Sequence, residues 1–134
     1  MSDVESAVRS FFQRVWNEGD VDAAAVFLAP EFTSHNPFDV TLRGPTEYGQ
    51  GVLQYRRAFP DLVTTLEDVF AVGDRVAVRG IDRATHRGEF MGHAPSGRHV
   101  TTTWIEIFRL RDGKAVEGWV EGDMRHLVDQ LSTE

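Results

Sequence analysis

The chain has 134 residues, a formal net charge of −7, 41% hydrophobic residues and 26% charged residues, as in an ordinary folded globular protein. This length predicts one domain, over residues 1–134, with a single sizeable core. The negative charge argues against nucleic acid as a partner, because phosphate binding needs a basic surface. No apolar run approaches the ~20 residues that span a bilayer, so no membrane partner is expected and a cytoplasmic location is the default. The absence of cysteine excludes disulfides and thiolate chemistry.

The first half of the chain is predicted to be mainly helical. Apolar residues from Val4 to Trp16 recur at three- and four-residue spacing, which predicts an amphipathic helix that Gly19 ends as a left-handed cap. A shorter helix is predicted to begin at Asp20, its N-cap, and a third at Pro45, a residue suited to the first turn. The three predicted helices and the extended segment before the third cover residues 4–16, 20–28, 45–58 and 32–35.

The second half is predicted to form antiparallel strands and a final helix. Gly73-Asp74 separates two strand-like segments, and Asp112-Gly113 separates two more as a type I′ turn, in which both residues need positive φ. Helices followed by antiparallel strands predict an α+β fold, with the N-terminal helices packed on one face of a curved, mostly antiparallel sheet and a short C-terminal helix. The predicted strands cover residues 62–72, 75–84, 87–91, 98–110 and 114–122, and the final helix covers residues 123–131.

The last hairpin is predicted to present acidic and aromatic side chains on one face. With the turn at Asp112-Gly113, Glu106 is expected to pair with Trp119. An acid between aromatic rings is poorly solvated, which raises its pKa and suits it to proton transfer near neutral pH. A single-residue bulge would turn the side chains past it to the other face. The face is predicted to carry Trp104, Glu106, Phe108, Glu117, Trp119, Glu121 and Asp123, and to look into a pocket.

A series of short motifs also recurs, in the same order, in a known family. They are Trp16-Asn17-Glu18-Gly19-Asp20, His35-Asn36-Pro37, Phe59-Pro60-Asp61-Leu62, Gly73-Asp74-Arg75-Val76, Thr85-His86-Arg87-Gly88-Glu89-Phe90-Met91-Gly92, Pro95-Ser96-Gly97-Arg98, Ile107-Phe108-Arg109, Asp112-Gly113-Lys114 and Glu117-x-Trp119. Over nearly its whole length the chain therefore resembles the SnoaL-like polyketide cyclases of the nuclear transport factor 2-like superfamily. The resemblance implies a cone of helices closed against a bent sheet around a deep cavity. It also implies acid–base chemistry without a cofactor, by a carboxylate and a histidine inside that cavity.

Glu106 is the strongest catalytic candidate. Its strand is apolar on both faces, so the acid must be paired, hydrogen-bonded or kept protonated. The structural alternative is an ion pair with Arg79 or Arg109. Asp123, which stands where the family places an acidic residue after the last strand, is the second candidate, and its alternative role is to cap the final helix.

His35 is the third catalytic candidate, because a histidine is well suited to moving protons near pH 7 and this corner lines the cavity in the family fold. Its alternative is a hydrogen bond to the backbone. Asp82 either joins Glu106 as a second acid or pairs with Arg79 or Arg83. No metal site is expected, because the five histidines show no ligand spacing. The residues expected to contact substrate are Trp16, Tyr55, Asp82, His86, Trp104, Phe108 and Trp119.

Together these residues favour a cyclase or isomerase that abstracts a proton next to the carbonyl group of a small, hydrophobic, polyketide-like molecule. Two alternatives remain: epoxide opening by paired acids, and a small-molecule binding or dimeric scaffold domain without catalysis. A Glu106 carboxyl that reaches a cavity with no bonded cation would favour catalysis. A homodimer is also expected, because apolar strips on a sheet are rarely left exposed. The outer strip is predicted to contain Thr101, Thr103, Ile105, Val116 and Val120.

Overall fold

The computed structural model describes residues 2–38 and 40–132, which form the predicted α+β fold. The strands are β1 (Leu28–His35), β2 (Thr41–Arg43), β3 (Val63–Val72), β4 (Arg75–Thr85), β5 (His99–Arg111) and β6 (Lys114–Gly122). The helices are α1 (Asp3–Phe11), which a π-helix (Phe12–Asn17) continues, α2 (Ala24–Phe27) after a 3-10 turn (Val21–Ala23), α3 (Gly44–Ala58) and α4 (Met124–Ser132). The strand order is β2-β1-β6-β5-β4-β3, and all pairs are antiparallel except β1 with β6.

The helices begin close to where the sequence predicts. Ser2 caps α1 by accepting a hydrogen bond from the backbone N–H of Glu5 at 3.1 Å. Gly19 has φ 71°, as a left-handed cap requires. The second predicted helix is shorter than expected, because Leu28 already belongs to β1 and pairs with Ala115 of β6. The segment 87–91 was expected to be extended, but only an isolated bridge from Phe90 to His93 forms there.

The hydrophobic core lies between the helices and one face of the sheet, here called the inner face; the opposite side is the outer face. Phe108 is fully buried at the centre of the core. Its ring centroid lies 5.2 Å from that of Phe27 and 6.3 Å from that of Phe32. A second cluster, which includes Phe59 and Leu127, holds α4 against the sheet. The fold therefore rests on aromatic packing that uses Phe108 as a core residue.

The last hairpin turns where predicted. Asp112 and Gly113 have φ values of 53° and 79°, as a type I′ turn requires. The pairing of Leu110 with Ala115 next to the turn also matches the prediction.

A β-bulge at Val116 then changes the register of the hairpin. Arg109 pairs with Glu117, so Val116 is an extra residue on β6. Side chains beyond the bulge are therefore on the opposite face from the predicted one. The prediction that Glu106 shares its face with the acids of β6 is wrong for this reason. Beyond the bulge, the outer face holds Glu117, Trp119 and Glu121, and the inner face holds Gly118, Val120 and Gly122 beside Glu106.

Candidate active site

A pocket of about 460 Å³ opens between the inner face of the sheet, α3, the π-helix and two loops. Its volume lies within the range of small-molecule sites. The walls are mainly apolar and aromatic, and a few polar groups interrupt them. Of the predicted site residues, the lining includes Trp16, Tyr55, Asp82, Trp104 and Glu106.

Glu106 is the most buried acid of the pocket, with 4% of its surface exposed. Burial raises its pKa from 4.5 to about 8. No ion pair within residues 2–38 and 40–132 includes it. The ion-pair alternative is wrong, because Arg79 contacts Asp68 at 2.7 Å and Arg109 contacts Glu117 at 3.2 Å, both on the outer face.

A glycine on the neighbouring strand makes room for this carboxyl. A Cβ atom at Gly118 would lie 3.0 Å from Oε2 of Glu106 and 3.1 Å from Cζ of Phe32. Both distances are shorter than normal van der Waals contact, so a side chain at Gly118 would push the acid or the core ring aside. Glycine inside a strand often marks such a close approach.

Asp82 is the second acid of the pocket. Its Oδ1 atom accepts a hydrogen bond from the indole Nε1–H of Trp104 at 2.9 Å and another from the hydroxyl of Thr64. Burial raises the pKa of Asp82 from 3.8 to about 7, and the bond from Trp104 opposes that rise. The predicted pairing with Arg79 or Arg83 is therefore wrong.

The two acids share the pocket without forming a pair. In the sheet register, Asp82 lies opposite Thr102 and Val78 lies opposite Glu106. Their backbone positions are therefore offset by four residues along the strands, roughly 13 Å at 3.3 Å per residue. Burial is the main cause of each raised pKa, and neither acid raises the pKa of the other. The chain thus has two independently buried acids on one wall.

Two tyrosines stand beside the acids. Tyr48 accepts a hydrogen bond from Nε1–H of Trp16 at 2.8 Å. Burial and the charge of Glu106 raise the pKa of Tyr48 well above its usual value. Burial, followed by the charge of Asp82, raises the pKa of Tyr55. Both phenols therefore keep their protons at neutral pH and can donate hydrogen bonds to an oxygen in the pocket.

His35 and Trp119 lie together outside the pocket lining, on the outer face. Their strands run parallel and in register, and their rings stack with centroids 5.8 Å apart. His35 donates from Nε2–H to Oε2 of Glu117 at 2.8 Å. This bond, together with a weaker one from Arg109, holds the pKa of Glu117 below its usual value. The bulge at Val116 is what turns Trp119 away from Glu106.

His86, Asp123 and Phe108 are also outside the lining. His86 is fully buried, packs on Phe59, and accepts a hydrogen bond at Nδ1 from the backbone N–H of Ser96 at 3.2 Å. It thereby fixes the base of the loop that follows β4. Asp123 accepts a hydrogen bond from the backbone N–H of His126 at 3.0 Å, which is the helix-capping alternative.

Several lining residues were not predicted from the sequence. In the sequence, Thr64 is typical of an ordinary strand residue, and only its pairing opposite Asp82 places its hydroxyl next to an acid. The same is true of polar residues on the loops and α3, whose positions depend on tertiary packing. The unpredicted polar lining residues are Ser34, Asn36, Gln54, Thr64, Glu89 and Thr102.

Within residues 2–38 and 40–132, no group of three or more histidine or acidic side chains could hold a metal ion. Within the same residues, no helix combines the length and apolar character needed to cross a membrane.

Comparison with known proteins agrees with this architecture. The family model for SnoaL-like polyketide cyclases matches residues 6–131. Aklanonic acid methyl ester cyclase AcmA of Streptomyces galilaeus is 31% identical over 117 residues, which are 85% of this chain and 80% of that protein.

Solved structures show the same fold. A protein of Acidithiobacillus ferrooxidans described as a candidate polyketide cyclase has a TM-score of 0.87 at 25% identity, over 97% of this chain and 94% of its own. AclR of Streptomyces galilaeus, described as a candidate hydroxylase, has a TM-score of 0.86 at 30% identity, over 100% of this chain and 83% of its own. With a family model that matches nearly its full length, the chain belongs to the SnoaL-like polyketide cyclase family.

Proposed function

We propose that the chain is a cyclase that needs no cofactor and closes a ring in a polyketide-like carbonyl compound, with Asp82 as the base and Glu106 as the acid. Membership of the family supports a small-molecule enzyme of the cyclase type. One observation carries the proposal: Glu106 is a buried carboxyl in an apolar pocket and forms no ion pair with any described residue. Perturbed acids of this kind are concentrated at functional sites.

The two pKa values support the division of roles. With a pKa of about 7, Asp82 is about half ionised at neutral pH and can accept a proton. With a pKa of about 8, Glu106 keeps its proton in roughly nine molecules of ten at pH 7 and can donate it. Both hydrogen bonds to Asp82 end on Oδ1, which leaves Oδ2 as the oxygen available to substrate.

Asp82 and Glu106 line the same pocket, so a substrate bound there can contact both acids in an intramolecular aldol step. Asp82 removes a proton from the carbon next to one carbonyl group, and that carbon attacks a second carbonyl carbon of the same molecule. Glu106 protonates the second carbonyl oxygen, which becomes a hydroxyl group, while Tyr48 can donate a hydrogen bond to the developing charge. One C–H bond and the π bond of the second carbonyl group break, one C–C bond and one O–H bond form, and the product has the same mass as the substrate. Proton exchange with water then restores both acids.

The two alternative functions, a non-catalytic scaffold and an epoxide-opening enzyme, have less support. A non-catalytic scaffold was expected to lock Glu106 with an arginine, and both candidate arginines are engaged on the outer face. Epoxide opening by paired acids has less support because the family model and the relative AcmA are both of the cyclase type.

The name of the relative AcmA provides the first substrate to test. We expect aklanonic acid methyl ester, or a polyketide ester like it, to be converted to a product of unchanged mass and different retention time in liquid chromatography with mass detection. Glu106→Gln and Asp82→Asn should each lower turnover by a factor of roughly 10² or more, as for other acid–base groups. Glu117→Gln, on the outer face, is the matched control and should retain turnover. Full turnover by the Glu106→Gln variant would refute the role of this acid.

We also propose that two copies of the chain associate through the outer face. It exposes apolar side chains on β5, with exposed fractions of 50% for Ile105 and 40% for Ile107, and on the edge strand β3, with 58% for Phe70. Apolar patches of this kind mark interaction surfaces. Two residues expected in this strip are not part of it, because the bulge turns Val120 into the pocket lining and buries Val116.

The charges beside this strip are arranged to suit a second copy. Arg79 of β4, Ile105 of β5 and Glu121 of β6 form one row across the sheet. A two-fold axis parallel to β5 would exchange β4 with β6, so that Arg79 faces Glu121 of the second copy on both sides of the axis. The surface is thus complementary to itself in charge and also exposes apolar side chains on β5.

A further inference from the structure

Trp104 occupies an unusual position on the inner face. In the register of β4 and β5 it lies opposite Gly80, one diagonal step from Asp82. A Cβ atom at Gly80 would lie only 2.3 Å from Cζ2 and 2.5 Å from Cε2 of the indole. The ring therefore rests directly on the backbone of Gly80, and any side chain there would displace it. Phe12 stacks against the same indole at 5.2 Å, with an angle of 27° between the planes.

The contacts of the indole with Gly80 and Phe12 fix the direction of its N–H group. Nε1 donates to Oδ1 of Asp82 at 2.9 Å, and Trp104 is only 9% exposed, so water does not compete freely for the bond. Indole is a donor with no acceptor atom, so it can bond only to the carboxylate or to a carboxyl oxygen that carries no proton.

Thr64, the second hydrogen-bond donor to Asp82, is held in place by Asn17, which lies outside the pocket lining. Asn17, the last residue of the π-helix, accepts a hydrogen bond from the backbone N–H of Thr64 at 2.7 Å and donates one to its carbonyl oxygen at 3.0 Å. The hydroxyl of Thr64 then reaches the same Oδ1 atom that Trp104 contacts. Two residues on different strands thus hold a single oxygen of Asp82, and the other oxygen accepts no hydrogen bond from the residues described.

We infer that Trp104 is a positioning residue for Asp82: seated on Gly80, its indole N–H holds one oxygen of the carboxylate and leaves the other directed to substrate. This inference rests on the proposed role of Asp82 as the base. Trp104 itself touches the acid and not the reacting atoms, so its contribution passes through the orientation and the ionisation of Asp82. The requirement for glycine at position 80 follows from the same geometry.

The test is the substitution Trp104→Phe, which keeps an aromatic ring beside Phe12 and removes the N–H donor. Without substrate, the titration of Asp82 is followed by NMR on protein labelled with ¹³C at the aspartate carboxyl groups, with Asp82→Asn to assign the signal. Loss of the bond to the charged form should raise the midpoint by about one pH unit. With substrate, the acidic limb of the kcat/KM profile should move by the same amount, and kcat should fall more than KM changes.

The matched control is Trp119→Phe, the same substitution on the outer face, which should leave the Asp82 titration unchanged. An unchanged titration and an unchanged acidic limb in a folded Trp104→Phe protein would overturn the positioning role, even if Asp82→Asn abolishes turnover. Conversely, full turnover by Asp82→Asn would refute the proposed base, and the NMR midpoint of Trp104→Phe would still report whether the indole holds the carboxylate. Gly80→Ala provides a second variant, and it should raise the Asp82 midpoint in the same direction by displacing the indole.

Discussion

Replacing Glu106 by glutamine should stabilise the folded chain, and more so as the pH rises. The folded chain holds a proton on this acid up to a pKa of about 8, whereas the unfolded chain releases it near 4.5. Between these values the unfolded state binds fewer protons, so the free energy of unfolding falls by about 1.4 kcal/mol per pH unit. At pH 7, 2.5 pH units above 4.5, the unaltered chain has lost about 3 kcal/mol. Above pH 8 the loss levels off at about 5 kcal/mol.

Glutamine has nearly the same shape and never ionises, so it escapes this penalty. Urea denaturation followed by tryptophan fluorescence at pH 5, 7 and 9 gives the free energy of unfolding of both proteins. The two should differ little at pH 5, and the variant should be more stable by about 3 kcal/mol at pH 7. Asp82 also carries a burial penalty, but it is present in both proteins and cancels in the difference.

Glu117→Gln is the control for the substitution itself. Glu117 is ionised and hydrogen-bonded by His35 in the folded chain, so its pKa is lowered and its contribution has the opposite sign. The Glu117→Gln variant should therefore not become more stable than the unaltered chain as the pH rises. A difference between Glu106→Gln and the unaltered chain that stays constant from pH 5 to pH 9 would show that Glu106 does not titrate as a buried acid.

The remaining predictions concern activity and assembly. The kcat/KM profile should be bell-shaped with its maximum between about pH 7 and 8, because Asp82 must be ionised and Glu106 protonated; a flat profile from pH 6 to 9 would contradict both assignments. Gly118→Ala should lower kcat by roughly tenfold or more with a smaller effect on folding, since its methyl group meets the carboxyl of Glu106, and steady-state kinetics beside thermal unfolding separate the two effects. Arg79→Glu and Glu121→Arg should each weaken the dimer in sedimentation equilibrium, and the double variant should restore it; a double variant no better than either single one would exclude the proposed two-fold axis.

The sequence alone predicted the parts of the fold that local chemistry determines. Asp112-Gly113 can adopt positive φ at both positions, and the turn follows directly from that capacity. The sequence also predicts that Glu106 is a buried acid, because its strand is apolar on both sides, a property that does not depend on register. These features need only neighbouring residues to be interpreted.

What could not be predicted depends on residues far apart in the chain. Valine is common in strands, and nothing in the side chain of Val116 indicates that this residue has no partner in the pairing of β5 with β6. Because a shift of one residue reverses the face of every later side chain, this bulge places Trp119 on the opposite face from the predicted one. The contact of Thr64 with Asp82 likewise depends on the pairing of β3 with β4, and a threonine in a strand is common without any such role.

The parallel pairing of β1 with β6 determines the order in which the pocket can be assembled. Strands β3 to β6 each pair with the next strand along the chain, whereas β1 must find a partner about eighty residues later, as in the pairing of His35 with Trp119. Contacts this distant in sequence form slowly, since a long loop has to close first. We therefore expect the wall that carries Glu106 and Asp82 to form before the N-terminal half covers it, with both acids still hydrated and ionised at neutral pH. Completion of the fold and uptake of a proton by Glu106 would then be the same late event.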